Sequence, residues 1–182
     1  MDAPFHYGPL SGGRPARKIG EIPLSRCYGR GVRLDLRHRG SGEAITATDI
    51  QQAIGKTDTE LRPLDIVLIW TGSDKHWGSA SYLTDYPGLT RDAVAYLVEQ
   101  GVYVIGTDAW GLDRPMAAML DDYRCTGYRS YLWPAHLYGR EQEYWSSFGI
   151  IGREQICVSN PLEDQRQLPR KVVSISNTRI GS

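Results

Sequence analysis

The stretch DAPFH at residues 2–6 sets a carboxylate and an imidazole four positions apart. An Asp can coordinate a divalent cation, and a nearby His can take a proton from a water bound to that cation. Between them Pro4 fixes its own backbone angle and keeps Ala3 out of the helical region. An extended path over residues 2–6 is therefore expected, and on such a path residues an even number apart point to one face. Asp2 and His6 would then lie on the same side, close together but with different tasks. Of the four histidines, His38 sits in the polar loop LRHRGSG and is expected to be solvated. His76 stands beside Trp77 as a candidate binding-loop residue, and His136 lies in AHLYGRE.

The chain that must position these groups has 182 residues, a length that suits one domain burying roughly 70% of its unfolded surface. A hydrophobic content of 41% with 23% charged residues excludes a disordered chain or a coiled coil and points to a folded soluble protein. Twenty-one basic residues balance twenty-one acidic ones. That balance removes the broad positive field on which nucleic-acid or anionic-membrane binding would draw, and leaves small molecules and proteins as partners. No apolar run reaches the ~20 residues of a membrane helix, and the first residues do not show the regions of a signal peptide, so a cytoplasmic location is expected. Cys27, Cys125 and Cys157 are odd in number and form no CxxC pair, which argues against a disulfide framework or a thiolate zinc site. A cysteine nucleophile is one alternative route to enzymatic chemistry.

Strands are expected over residues 31–36 (GVRLDL), 65–70 (DIVLIW), 102–107 (VYVIGT), 155–159 (QICVS) and 171–176 (KVVSIS). The second and third are nearly unbroken apolar runs, as in strands buried on both faces. Between them TATDIQQAIGK reads as a helix capped by Thr46 or Thr48, with Ile50, Ala53 and Ile54 on one face. TRDAVAYLVEQG reads as a helix with Thr90 as its cap, Val94, Leu97 and Val98 as its buried stripe, and Gly101 as the left-handed residue that ends it. A short helix is expected over MAAMLDDY, with Pro115 in its first turn. The alternation predicts a single α/β domain over residues 1–182, with a central mixed sheet flanked by helices. In such sheets the loops after the carboxyl ends of strands build the ligand site. Those loops are the aromatic-rich 71–88 and 108–115, which makes Trp77 and Trp110 candidate substrate-binding residues.

DAPFH resembles the last five residues of the motif HxGTHxDxPxH carried by the cyclase family of metal-dependent hydrolases, which includes bacterial kynurenine formamidase and isatin hydrolase. The segments IPLSRCYGRGVRLDLRHRGSGEAIT, LRPLDIVLIWTGSD, YVIGTDAWGLDRP and WPAHLYGREQEY are similar to that family in order and spacing, from Asp2 to about Tyr144. The resemblance implies a swivelling β/β/α-like fold, with Asp2 as a metal ligand, His6 as the catalytic histidine and His136 as the later metal-binding histidine. It implies a manganese or zinc ion, hydrolysis of an amide or lactam C–N bond in a small aromatic or cyclic substrate, and a homo-oligomer.

The chain departs from the family pattern at both ends. The motif's two upstream histidines would precede Met1, so a longer natural reading frame is expected, one that carries an in-frame HxGTH. Twelve residues beyond His136 the family has a glutamate ligand where this chain has Phe148, whose ring cannot bind a metal. Glu141, Glu143 and Glu154 have the wrong offset to replace it. With Asp2 and His136 as the two recognisable ligands, weak metal affinity is expected. An inactive family member, acting as a binding or oligomerising module, is then the alternative to an enzyme.

Overall fold

The structure is a computed structural model that describes residues 2–57 and 59–147 and the backbone of Val172–Ser174. The expected strand over 155–159, with Phe148, Glu154 and Cys157, lies outside the described residues. Among the described residues the central sheet has five strands, β1 (Tyr28–Asp35), β2 (Ile66–Trp70), β3 (Val104–Thr107), β4 (Trp145–Ser147) and β5 (Val172–Ser174). Their order is β4-β3-β2-β1-β5, parallel from β1 to β4, with β5 antiparallel on the β1 edge. The expected α/β fold with a mixed central sheet is thus met.

The helices are α1 (Pro4–Tyr7), α2 (Ala47–Gly55), α3 (Arg91–Glu99), α4 (Met116–Thr126) and α5 (Pro134–Tyr138). Each parallel strand is laid down on the same side of the previous one, so right-handed crossovers bring the intervening helices to one face. Strand periodicity then divides the core. Val67 and Ile69 of β2 pack with Ile50, Ala53, Val94 and Leu97 of the helices. The alternate residues Ile66 and Leu68 face the other way, against Ala3, Ile22 and Trp145. Leu97 and Val94 are fully buried, each worth about 1.5–3 kcal/mol relative to exposure.

Local signals explain most element ends. Thr46 rather than Thr48 caps α2, accepting the Asp49 N–H while Asp49 returns a bond to the Thr46 N–H. Gly101 takes the expected left-handed angle, φ 81°, after α3. Three expectations are corrected. Thr90 precedes α3, but its hydroxyl donates to the Ile45 carbonyl instead of capping the helix. Pro115 stands outside α4 as its N-cap, φ −50° and ψ 143°, and α4 continues past Tyr123 to Thr126. Residues 2–6 are not extended throughout, because Pro4 opens the one-turn helix α1, where its missing N–H costs no bond. Ala3 remains extended at φ −87° and ψ 161°, as its position before proline requires. Among the described residues no helix is long and apolar enough to cross a membrane.

Candidate metal centre

Asp2, His6 and His136 come together although 130 residues separate His6 from His136. Asp2 is seated by backbone pairing with the edge strand β4, its N–H donating to the Ser146 carbonyl at 2.7 Å and its own carbonyl accepting from Ser146 at 3.2 Å. The turn of α1 then carries His6 back over it, leaving His6 Nε2 3.7 Å from Asp2 Oδ2. An extended Asp2–Ala3 step followed by the turn of α1 replaces the shared face of a fully extended strand, with the same result. His136 stands on α5, its ring edge-on to His6 with centroids 5.3 Å apart. One donor atom from each of the three lies within 4.8 Å of the others.

The start of α5 is forced. Trp133, the N-cap, adopts the left-handed region, φ 51° and ψ 49°, uncommon for a bulky non-glycine residue, and Pro134 opens the helix where its missing N–H costs no bond. Asp113 then serves the free N–H groups of the new helix, Oδ1 accepting from Ala135 at 2.6 Å and Oδ2 from His136 at 3.3 Å. Asp113 Oδ2 also lies 2.5 Å from His136 Nδ1.

Beneath the three donors is a buried aromatic platform. Tyr7 stacks on Tyr144 at 5.0 Å and meets the edge of His136 at 5.4 Å. The Tyr7 hydroxyl bonds to Ser146 Oγ at 2.7 Å, and the Tyr144 hydroxyl donates to the Ala135 carbonyl at 2.8 Å. Burial pushes both phenols well above their ordinary range, so both stay protonated. Gly139 is where the Tyr7 ring passes over the backbone, since a Cβ there would stand 2.1 Å from the ring.

Above the donors opens a cleft of about 680 Å³, lined by Asp2, His6 and His136 at one end and by Trp77, Tyr82, Tyr86, Trp110 and Trp133 among others. It lies at the loops after β2 and β3, where the sheet geometry leads one to look. Asp108 ties the two loops together, Oδ1 accepting from the Thr71 N–H and Oγ1, both at 2.8 Å. Tyr82 donates to the Asp108 carbonyl at 3.0 Å and stands edge-on to both Trp77 and Trp110. Burial pushes the Tyr82 and Tyr86 hydroxyls up to about 12, with further upward pressure from Asp108 on Tyr82 and from Asp113 on Tyr86.

All five sequence-expected site residues therefore line one cleft. Tyr82 and Tyr86, aromatic residues of the same loop as Trp77, line it too, and Asp113 and Trp133 were missed. The position of Asp113 in the loop after a strand's carboxyl end was the one signal that could have marked it. The remaining candidates go elsewhere: His38 is exposed, and His76 braces its own loop against Ser81 and Asp85. Glu141 pairs with Arg91 and Glu143 with Arg17, and neither borders the cleft. Cys27 and Cys125 do not line it either. Burial raises the Cys27 thiol and so disfavours the thiolate a nucleophile needs.

Residues 1–114, which include Asp2 and His6, match the family model described as putative cyclase. The chain belongs to the cyclase family. His136 lies beyond the matched residues. No curated protein sequence matches this cyclase-family chain. Among solved structures it is similar to an isatin hydrolase bound to the product analogue thioisatinate, with a TM-score of 0.68 and 20% identity over 94% of this chain and 61% of that one. It is also similar to isatin hydrolase A from Labrenzia aggregata bound to benzyl benzoate, with a TM-score of 0.64 and 20% identity over 95% and 63% of the two chains. Isatin hydrolase A from Ralstonia solanacearum gives a TM-score of 0.64 and 19% identity over 95% and 62%. At these identities the likeness establishes the shared fold, and the cyclase-family chain spans about three fifths of the length of those structures.

Proposed function

We propose that the chain carries the site of a metal-dependent hydrolase that opens an amide or lactam C–N bond in a small aromatic or cyclic substrate. The observation behind this reading is the convergence of Asp2, His6 and His136 in the lining of an aromatic cleft. A carboxylate with two imidazoles is a donor set that zinc or manganese accepts. In this reading Asp2 and His136 hold the cation. When bound, it supplies Lewis-acid chemistry, lowering the pKa of a water and polarising the substrate carbonyl. His6 takes a proton from the attacking water as the C–O bond forms, and returns it to the nitrogen as the C–N bond breaks. Trp77 and Trp110 present ring faces and edges suited to a flat substrate. Assembly as a homo-oligomer belongs to the same proposal.

The test is metal content after incubation with manganese or zinc and removal of excess, followed by a screen of cyclic aromatic amides. About one retained ion per chain with substrate opening supports the reading. No retained ion and no turnover would overturn it and favour the inactive binding module. The mutual proximity of all three donors favours one variant of the site, in which His6 is itself a ligand. His6→Ala separates the two: a base lost costs about 10²–10⁴-fold in rate with metal kept, whereas a ligand lost removes the metal as well.

A further inference from the structure

We propose that Asp113 is a positioning residue that fixes the tautomer of His136 and so aims its Nε2 lone pair into the cleft. The inference rests on the reading of His136 as a metal ligand, and its geometry stands without any metal. Asp113 is 4% exposed and sits in a loop that cannot drift. The Leu112 carbonyl accepts from the Leu89 N–H at 2.6 Å, and the Asp113–Arg114 backbone lies so close to Gly88 that a Cβ there would stand 2.2 Å from the Arg114 nitrogen.

Both carboxylate oxygens are committed as acceptors, Oδ1 to the Ala135 N–H and Oδ2 to the His136 N–H and Nδ1. A carboxylate has no hydrogen to give, so the imidazole must donate from Nδ1. In the neutral ring the other nitrogen then carries the free lone pair, which is the form a cation binds. Asp113 thereby does two things at once, ending the orphan N–H groups of α5 and deciding which nitrogen of His136 can coordinate. Sequence spacing could not show this, since the two residues are 23 apart and meet only across the loop after β3.

The experiment is long-range proton–nitrogen NMR of the imidazole side chains in metal-free protein, recorded over a pH series until the His136 ring signals stop moving, with manganese and zinc titrations alongside. Wild-type His136 is expected to carry its hydrogen on Nδ1. In Asp113→Asn the carboxamide oxygen keeps the Ala135 bond and its NH₂ faces Nδ1, so the hydrogen should move to Nε2. Turning the amide the other way would set NH₂ against the Ala135 N–H, whose bond is short at 2.6 Å, instead of against the His136 N–H, whose bond is long at 3.3 Å. Metal affinity should then fall about 10–100-fold, and Asp113→Glu, which can still accept from Nδ1, should recover part of it. A wild-type ring protonated on Nε2, or an Asn variant with wild-type tautomer and affinity, would overturn the proposal. Should the Asn variant fail to fold, the wild-type spectrum alone decides. A wild-type ring protonated on Nδ1 in a protein that retains no metal would uphold Asp113 as the positioning residue and overturn the metal-dependent reading instead.

Discussion

The two ends of the cleft are built differently. At the donor end Tyr7, Tyr144 and Ser146 are buried and hydrogen-bonded, with Gly139 pressed against the Tyr7 ring. At the loop end Trp77 and Trp110 are about half exposed, at 51% and 55%, and are held through Tyr82 and the Asp108 tie between their loops. Coordination requires donor atoms fixed to within a fraction of an ångström, so the platform leaves no room for adjustment. A flat apolar ring needs only contact area, which two tethered indoles can give while still admitting different ring shapes.

That contrast can be broken most directly at the donors. Asp2→Ala or His136→Ala should reduce retained manganese or zinc by more than the roughly 10–100-fold loss that follows from disturbing a ligand's partner, as measured by elemental analysis. Next in size are changes in the platform. Gly139→Ala drives a methyl into the Tyr7 ring and should cost about 1–3 kcal/mol in denaturant unfolding. Tyr7→Phe leaves the fully buried Ser146 hydroxyl without its partner and should cost a similar amount, about 1–3 kcal/mol. If either variant unfolds at the wild-type midpoint, the platform is not the rigid part of the site.

Trp77→Ala and Trp110→Ala should leave the unfolding midpoint nearly unchanged, within about 0.5 kcal/mol. They should instead weaken substrate binding several-fold, which corresponds to about 0.5–1.5 kcal/mol of aromatic contact. A large loss of stability in either variant would erase the distinction between platform and rim. The last effect concerns pH and is confined to strongly alkaline solution. Tyr82 and Tyr86 titrate near 12 when folded, above their ordinary 10.0. The folded state therefore holds more protons than the unfolded chain in that interval, and stability should decline as pH rises from about 10 to about 12. Alkaline difference absorbance of the wild type against Tyr82→Phe and Tyr86→Phe isolates these two phenols from the exposed tyrosines, and a lost phenol that ionised near 10 in the folded protein would contradict the burial of its ring.

The parts legible in the sequence share a physical cause, namely that they are local. The apolar runs of β2 and β3, a threonine cap at the start of α2, and Gly101 at the end of α3 are each fixed by residues within about one turn or one strand of themselves. The DAPFH spacing also brought Asp2 and His6 together correctly, although by a helical turn rather than an extended path. Other features were not local. The strand Trp145–Ser147 is three residues long, too short for a period to show, and exists because β3 offers it an edge. Asp113 carries no mark of its role until α5 is folded against it.

By itself, then, the sequence determined the alternation of β1 to β3 with α2 to α4, the family, and the kinds of donor available. Tertiary structure decided which of them meet: Asp2 on the β4 edge, His6 one turn on, His136 aimed from a helix that Asp113 caps. The reason is that secondary structure follows from neighbours along the chain, whereas a coordination site is defined by atoms that only packing of the sheet and its loops brings within a few ångströms.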